Sequence, residues 1–247
     1  MIKAVTIDFW GTLLLDGPGA DEDYRRPRLA GLQRVLEGAG IPVSPHDLES
    51  AYGHSATHLR RIWQECRDVP VQEHVRAILD GVHPALRHRI DEAVLSALVD
   101  AYASPALLVP PAFDHGAKGA LEALAAGGLR LCVVSNIMRT PGATLRQLLD
   151  RQGLLGLFQV LTFSDECAVR KPAPEIFRLT LERIGVAPAE AVHVGDDAVL
   201  DVAGARAAGL RAIHVIGSAS PRAALKADAA ITELSQLPAA LRTLRRR

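Results

Sequence analysis

Four short segments of this chain place an acid, a hydroxyl or a lysine after an apolar run, and together they could carry out nucleophilic chemistry on an anion. Asp8 closes Val5-Thr6-Ile7 and is followed at once by Phe9-Trp10-Gly11-Thr12. Ser135-Asn136 closes Leu131-Cys132-Val133-Val134, and Lys171 stands in Val169-Arg170-Lys171-Pro172. A last run delivers Gly195-Asp196-Asp197, with Asp201 one helical turn further on. A carboxylate nucleophile needs positive charge beside it before it can approach a phosphate. Asp8, Asp196 and either Asp197 or Asp201 could supply oxygen ligands to Mg²⁺, which prefers carboxylates, water and substrate oxygens. Ser135 and the backbone N–H after it could bond a phosphoryl oxygen, and Lys171 could neutralise both the nucleophile and the transition state. Without a cation the converging carboxylates would repel one another.

Each residue also has a plainer reading. Asp8 could simply end a strand, and Ser135-Asn136 is ordinary turn chemistry. Lys171 could be a surface lysine, Asp196 or Asp197 a helix N-cap, and Asp201 a solvated acid in a first turn. Trp10 could be an aromatic plug, and Thr12 could shape the loop. His193, inside a strand, reads as a core histidine with its hydrogen bond satisfied. It is the order of four such segments that favours chemistry over these alternatives.

The elements that must hold these residues read as βαβ units. Strands are expected at Lys3–Ile7, Leu129–Ser135, Val160–Ser164, Ala191–Val194, Arg211–Val215 and near Ala229–Ile231. Amphipathic stretches Asp114–Ala126, Pro174–Ile184 and Ala198–Ala208 each end at glycine, a helix C-cap signature. The fold class is therefore α/β, a Rossmann-like parallel sheet with helices on both faces and ligands at the carboxyl ends of the strands. Residues 18–103 carry helical periodicity and no strand. They read as an inserted helical cap of three or four helices over a core formed by 1–17 and 104–247, with breaks near Gly38–Pro45, Asp68–Pro70 and Asp80–Pro84. Such a cap would close over a small ligand and exclude water.

Composition narrows the function further. The 247 residues are 49% apolar, with 28 basic and 28 acidic side chains and zero formal net charge. Nothing global recruits nucleic acid or an anionic membrane, and Arg245 to Arg247 read as a solvated tail. The three cysteines, Cys66, Cys132 and Cys167, follow no disulfide or zinc pattern, and Cys132 reads as a core residue. No signal peptide or membrane-length apolar run is evident, so a cytoplasmic monomer or homodimer is expected.

The four segments resemble, in order, the motifs of the haloacid dehalogenase superfamily, in its phosphatase-like branch with a helical cap after the first strand. The resemblance covers the core, and no motif of the cap matches. It implies Mg²⁺, an aspartyl-phosphate on Asp8 and a small anionic phosphorylated substrate. Asp8, Ser135 and Lys171 would be catalytic, and Asn136, Trp10 and Thr12 would contact substrate. Asp8, Asp196 and Asp197 or Asp201 would hold the metal. In most phosphatases of that family the position of Trp10 is an aspartate that protonates the leaving alcohol and activates water, and losing such a group costs about 10²–10⁴-fold in rate.

Three readings of the missing acid follow. Metal-free 2-haloacid dehalogenases of the family lack it and carry an aromatic residue there, but they also lack the acidic cluster that Asp196, Asp197 and Asp201 form. Phosphonate cleavage through a cap lysine fails, because the lysines are Lys3, Lys118, Lys171 and Lys226. A metal-dependent phosphatase that finds its proton elsewhere ranks first, a dehalogenase second, and a fold surviving as a binding or regulatory protein third. His46, His54 and His58 are candidate proton donors, with His54 and His58 spaced i, i+4. Arg25, Arg26, Arg28, Arg60 and Arg61 could meet an anionic substrate.

Overall fold

The computed structural model describes residues 1–15, 20–216 and 227–245, without the side chains of 20–22 and 245. The expected cap boundary at 17–18, Lys226 and the end of the arginine tail lie outside the described residues. A parallel six-stranded sheet forms the centre, in the order β5-β4-β1-β6-β7-β8. Its strands are β1 (Ala4–Ile7), β4 (Arg130–Ser135), β5 (Phe158–Phe163), β6 (Ala191–Gly195), β7 (Arg211–Val215) and β8 (Ala229–Ile231). Between β1 and β4 the chain forms β2 (Leu14–Leu15), a helical segment and β3 (Ala112–Phe113), and β2 and β3 pair as an antiparallel ribbon.

The helical segment comprises α1 (Ala20–Gly38), α2 (Pro45–Gln64), α3 (Val71–Val82), the single turn α4 (Leu86–Arg89) and α5 (Glu92–Ala103). Its boundaries are local chemistry. Ser44 accepts from the Asp47 N–H at 3.0 Å ahead of Pro45, and Asp91 accepts from Val94 N–H at 2.8 Å, each satisfying an orphan donor of a first turn. The core helices are α6 (Pro105–Leu108), α7 (Ala117–Ala126), α8 (Gly142–Arg151), α9 (Ser164–Cys167), α10 (Pro174–Arg183), α11 (Gly204–Ala207) and α12 (Leu237–Arg245). Gly128, Gly185 and Gly209 leave α7, α10 and α11 at positive φ, as the glycine-ended pattern anticipates.

Three features differ from the sequence reading. The third strand begins two residues earlier and hands Ser164 to α9. Residues Ala198–Ala203 form a wide π-type turn before α11, with Asp197 as its N-cap. Helix α8 and the β2–β3 ribbon carried no clear periodicity, α8 because it spans only ten residues and the ribbon because its strands have two each.

Packing fixes the turn after β1. Phe9 is fully buried and meets Trp10, Phe163 and Phe113 edge-on, with centroids 5.9, 6.1 and 6.4 Å away. Burial of such a ring stabilises by roughly 1.5–3 kcal/mol, and it ties the Asp8 turn to β5 and to the ribbon.

Candidate active site

Parallel register brings the four segments to one edge. Ile7 lies level with Val133 on β4 and Val194 on β6, so Asp8, Ser135 and Asp196 emerge side by side. Asp8 N–H still donates to Val194 O at 2.9 Å. Two glycines make room for carboxylates here. Gly11, at φ +72°, turns where a Cβ would strike the Asp196 carboxylate, and a Cβ on Gly195 would overlap that of Asp201.

Oxygens of Asp8, Asp196 and Asp201 lie within 4.8 Å of one another. Lys171 is the ammonium among them, with Nζ 2.7 Å from Asp8 Oδ1 and 2.6 Å from Asp201 Oδ1. Burial works against its charge, but Asp201 and Asp8 outweigh it and move its pKa upward. Asp201 is buried too, yet Lys171 and His193 hold it well below the usual carboxylate range. Its Oδ1 meets His193 Nε2 at 2.9 Å, its Oδ2 accepts from Asp197 N–H at 2.9 Å, and Thr6 Oγ1 meets His193 Nδ1 at 2.8 Å.

Burial raises the pKa of Asp8, Lys171 opposes that, and Asp201 adds to it. Its Oδ1 is buried in the ion pair with the Lys171 ammonium. Asp196 sits at the exposed rim, and the surrounding protein together with Asp8 and Asp201 pushes it up to about 7. Three carboxylates against one lysine leave an excess of negative charge among hard oxygen donors, which fits a divalent cation.

The remaining expected residues divide. Asn136 does not face this space: its Nδ2 donates to Lys171 O at 3.0 Å and its Oδ1 accepts from Lys171 N–H at 2.8 Å, so the amide holds the lysine's backbone. Asp197 is not among the clustered carboxylates either. Its Oδ1 accepts from Val199 and Leu200 N–H at 2.7 and 2.8 Å, capping the helix it begins. Ser135 is fully buried next to Asp8. Trp10 Nε1 and Thr12 Oγ1 are buried with no hydrogen-bond partner. The Trp10 ring meets Tyr24 of α1 at 6.4 Å, so an aromatic contact between core and helical segment is present as expected. His46, His54 and His58 lie on the exposed side of α2.

Sequence reasoning missed the seam beside Lys171. Asp68, between α2 and α3, accepts from Arg170 Nη1 and Ser164 Oγ, each at 2.5 Å, and from Trp63 Nε1 at 3.0 Å. Arg170 also donates to Ile137 O at 2.7 Å and lies 4.4 Å over the Trp63 ring. Backbone bonds Asp68 N–H to Ala168 O (3.2 Å) and Arg170 N–H to Cys66 O (2.9 Å) close the stitch. The helical segment is thus bonded to the loops carrying Asn136 and Lys171. Adjacency of Arg170 to Lys171 was the sole sequence signal, and it does not name Asp68.

Residues 2–209 match the haloacid dehalogenase-like hydrolase family, and the chain belongs to it. It is therefore a hydrolase built on that α/β core. A plasmid-encoded phosphoglycolate phosphatase of Cupriavidus necator is 37% identical over 243 residues, 96% of this chain and 92% of the relative. A phosphoglycolate phosphatase of Rhodospirillum rubrum is 30% identical, over 85% of this chain and 78% of the relative. Among solved structures, a 2-haloacid dehalogenase from Pseudomonas syringae superposes with a TM-score of 0.68 at 25% identity, covering 99% of this chain and 100% of that one. A HAD phosphatase from Thermococcus onnurineus superposes at 0.59 and 25% identity, covering 97% and 98%. Among the described residues no helix is long and apolar enough to cross a membrane.

Proposed function

We propose that the chain is a Mg²⁺-dependent phosphatase of small phosphorylated compounds, with Asp8 as nucleophile and residues 18–103 as a cap over a core of 1–17 and 104–247. The carboxylates of Asp8, Asp196 and Asp201 around Lys171 carry this reading. A second and third acid would only repel a haloacid and a departing halide, whereas a metal and a phosphate need them. Sequence likeness to two phosphoglycolate phosphatases supports it.

Asp8 and Asp196 would hold the ion directly. Asp201 Oδ2 accepts only the Asp197 N–H and keeps a lone pair for the same purpose. The bound ion would neutralise phosphoryl oxygens as charge develops. Asp8 attacks phosphorus, the bond to the ester oxygen breaks, and the phosphoryl group is carried on the Asp8 carboxylate. Water then attacks that phosphorus, releasing phosphate and restoring Asp8. Ser135 and Lys171 bind phosphoryl oxygens, Asn136 holds the lysine backbone, and Thr12 and Trp10 line the turn. The Trp10 indole can donate a hydrogen bond but transfers no proton, and His46, His54 and His58 lie on the exposed side of α2. Turnover should therefore depend steeply on how easily the leaving oxygen departs.

Trp10 and the dehalogenase superposition favour a second reading, hydrolysis of 2-haloacids. Assays of p-nitrophenyl phosphate, acetyl phosphate and L-2-chloropropionate, each with Mg²⁺ and with EDTA, separate the two. Phosphate release lost in EDTA and in Asp8→Asn is the expected result. Chloride release indifferent to EDTA would overturn it, and absence of any turnover with metal still bound would leave a binding protein.

A further inference from the structure

Arg28 is the buried arginine of the basic start of α1, only 1% exposed. Its Nε donates to Tyr102 O at 2.8 Å and its Nη1 to Tyr52 OH at 3.0 Å, with the guanidinium 4.8 Å from the Tyr102 ring centroid. From the core side, Arg139 on the loop after β4 lies 3.9 Å from the Tyr52 ring centroid. It donates to Tyr102 OH at 3.0 Å, to Ser55 Oγ at 3.3 Å and to Tyr52 O at 3.3 Å. Every acceptor is neutral. Among the described residues no carboxylate lies within ion-pair distance of either guanidinium, although Arg170 nearby is paired with Asp68.

His74 lies beside them: its Nδ1 is 3.3 Å from Tyr102 OH, and its Nε2 is buried with no hydrogen-bond partner. Buried positive charge and unpartnered polar atoms are costly, and what the two guanidiniums lack is an anion. Along the chain Arg139 stands four residues after Ser135, and Arg28 is one helical turn from Tyr24, whose ring meets Trp10, itself carrying an orphan indole N–H.

We propose that Arg28 and Arg139, framed by Tyr52, Tyr102 and His74, form an anion subsite between the helical segment and the core, and that the substrate is a phosphate ester bearing a second anionic group. This rests on the phosphatase reading for the phosphate end. The second group is a carboxylate or a further phosphate, since a guanidinium fork binds either.

Kinetics on three alkyl esters test it: sn-glycerol 3-phosphate with a neutral remote end, 2-phosphoglycolate with a carboxylate, and propane-1,3-diyl bisphosphate with a second phosphate. The wild type should prefer one of the two esters with an anionic remote end in kcat/KM. Arg139→Met should lower that preference about 30-fold or more, mainly through KM, the scale of losing one partner of a buried charged contact. Arg139→Lys should recover part of it. Arg28→Met is the second variant, and circular dichroism checks that each is folded. Equal loss on all three esters, or no wild-type preference, would overturn the subsite. Calorimetric binding of the same esters to Asp8→Asn protein separates the failures. Absent turnover with Arg139-dependent binding of the second anion defeats only the phosphatase reading, while turnover without that dependence defeats only the subsite.

Discussion

At the carboxyl edge of the sheet three carboxylates share one ammonium, whereas between α1, α5 and the loop after β4 two guanidiniums share no carboxylate among the described residues. A third place, the Asp68–Arg170 seam, shows that the same fold closes a buried ion pair where balance is needed. Uncompensated charge inside a protein is costly, so each imbalance is a candidate place for a ligand to complete it. The sheet edge is short of positive charge and the arginine join is short of negative charge. A metal with a phosphate answers the first, and a second substrate anion answers the second.

The most severe way to break this contrast is at the nucleophile. Asp8→Asn should reduce phosphate release by about 10⁴-fold or more, as when a covalent nucleophile is removed, and residual activity near wild type would end the proposal. Metal removal comes next. EDTA should abolish phosphate release, and added Mg²⁺ should restore it and raise Tm, because a ligand that binds only the folded state stabilises it. If Mg²⁺ leaves Tm unmoved in wild type, the acidic cluster is not its site.

The two kinds of arginine should then part company in stability. Arg170→Met strands the Asp68 carboxylate in the interior and should cost about 3–5 kcal/mol in denaturant unfolding. Pairing it with Asp68→Asn should recover part of that loss. His74 gives an intermediate effect through pH. Burial holds its pKa at about 4, with Asp68 opposing and Arg139, Arg170 and Arg28 reinforcing the shift, against about 6.5 when unfolded. Its contribution is therefore complete above pH 6.5 and is lost as pH falls toward 4, on the order of 3 kcal/mol in total. His74→Asn should flatten the unfolding free energy across that window. Arg139→Met, which abandons neutral acceptors but no acid, should cost less, about 1–2 kcal/mol. A large destabilisation there would show that the join is structural.

Much of the core was legible because its signals are local. Apolar runs of three to six residues marked every strand of the main sheet, and glycine after α7, α10 and α11 marked their ends. Asp8, Ser135, Lys171 and Asp196 could be placed at one edge because parallel strands with right-handed crossovers leave no other place for their ends. Asp197 stayed open between cap and metal ligand because it looks the same in sequence whether it caps a helix or meets an ion. Asn136 was read as facing substrate for a similar reason, since a side-chain amide offers the same atoms to a backbone as to a ligand.

By itself, then, the order of residues determined an α/β sheet, a long helical insertion, a carboxylate at the end of the first strand and an acidic cluster opposite it. Only the tertiary structure decided the charge balance. Arg28 meets Tyr102 across 74 positions, Arg139 meets Ser55 across 84, and Arg170 meets Asp68 across 102. Whether a buried arginine finds an acid or only hydroxyls and carbonyls depends on how separate helices pack, and no spacing along the chain encodes that.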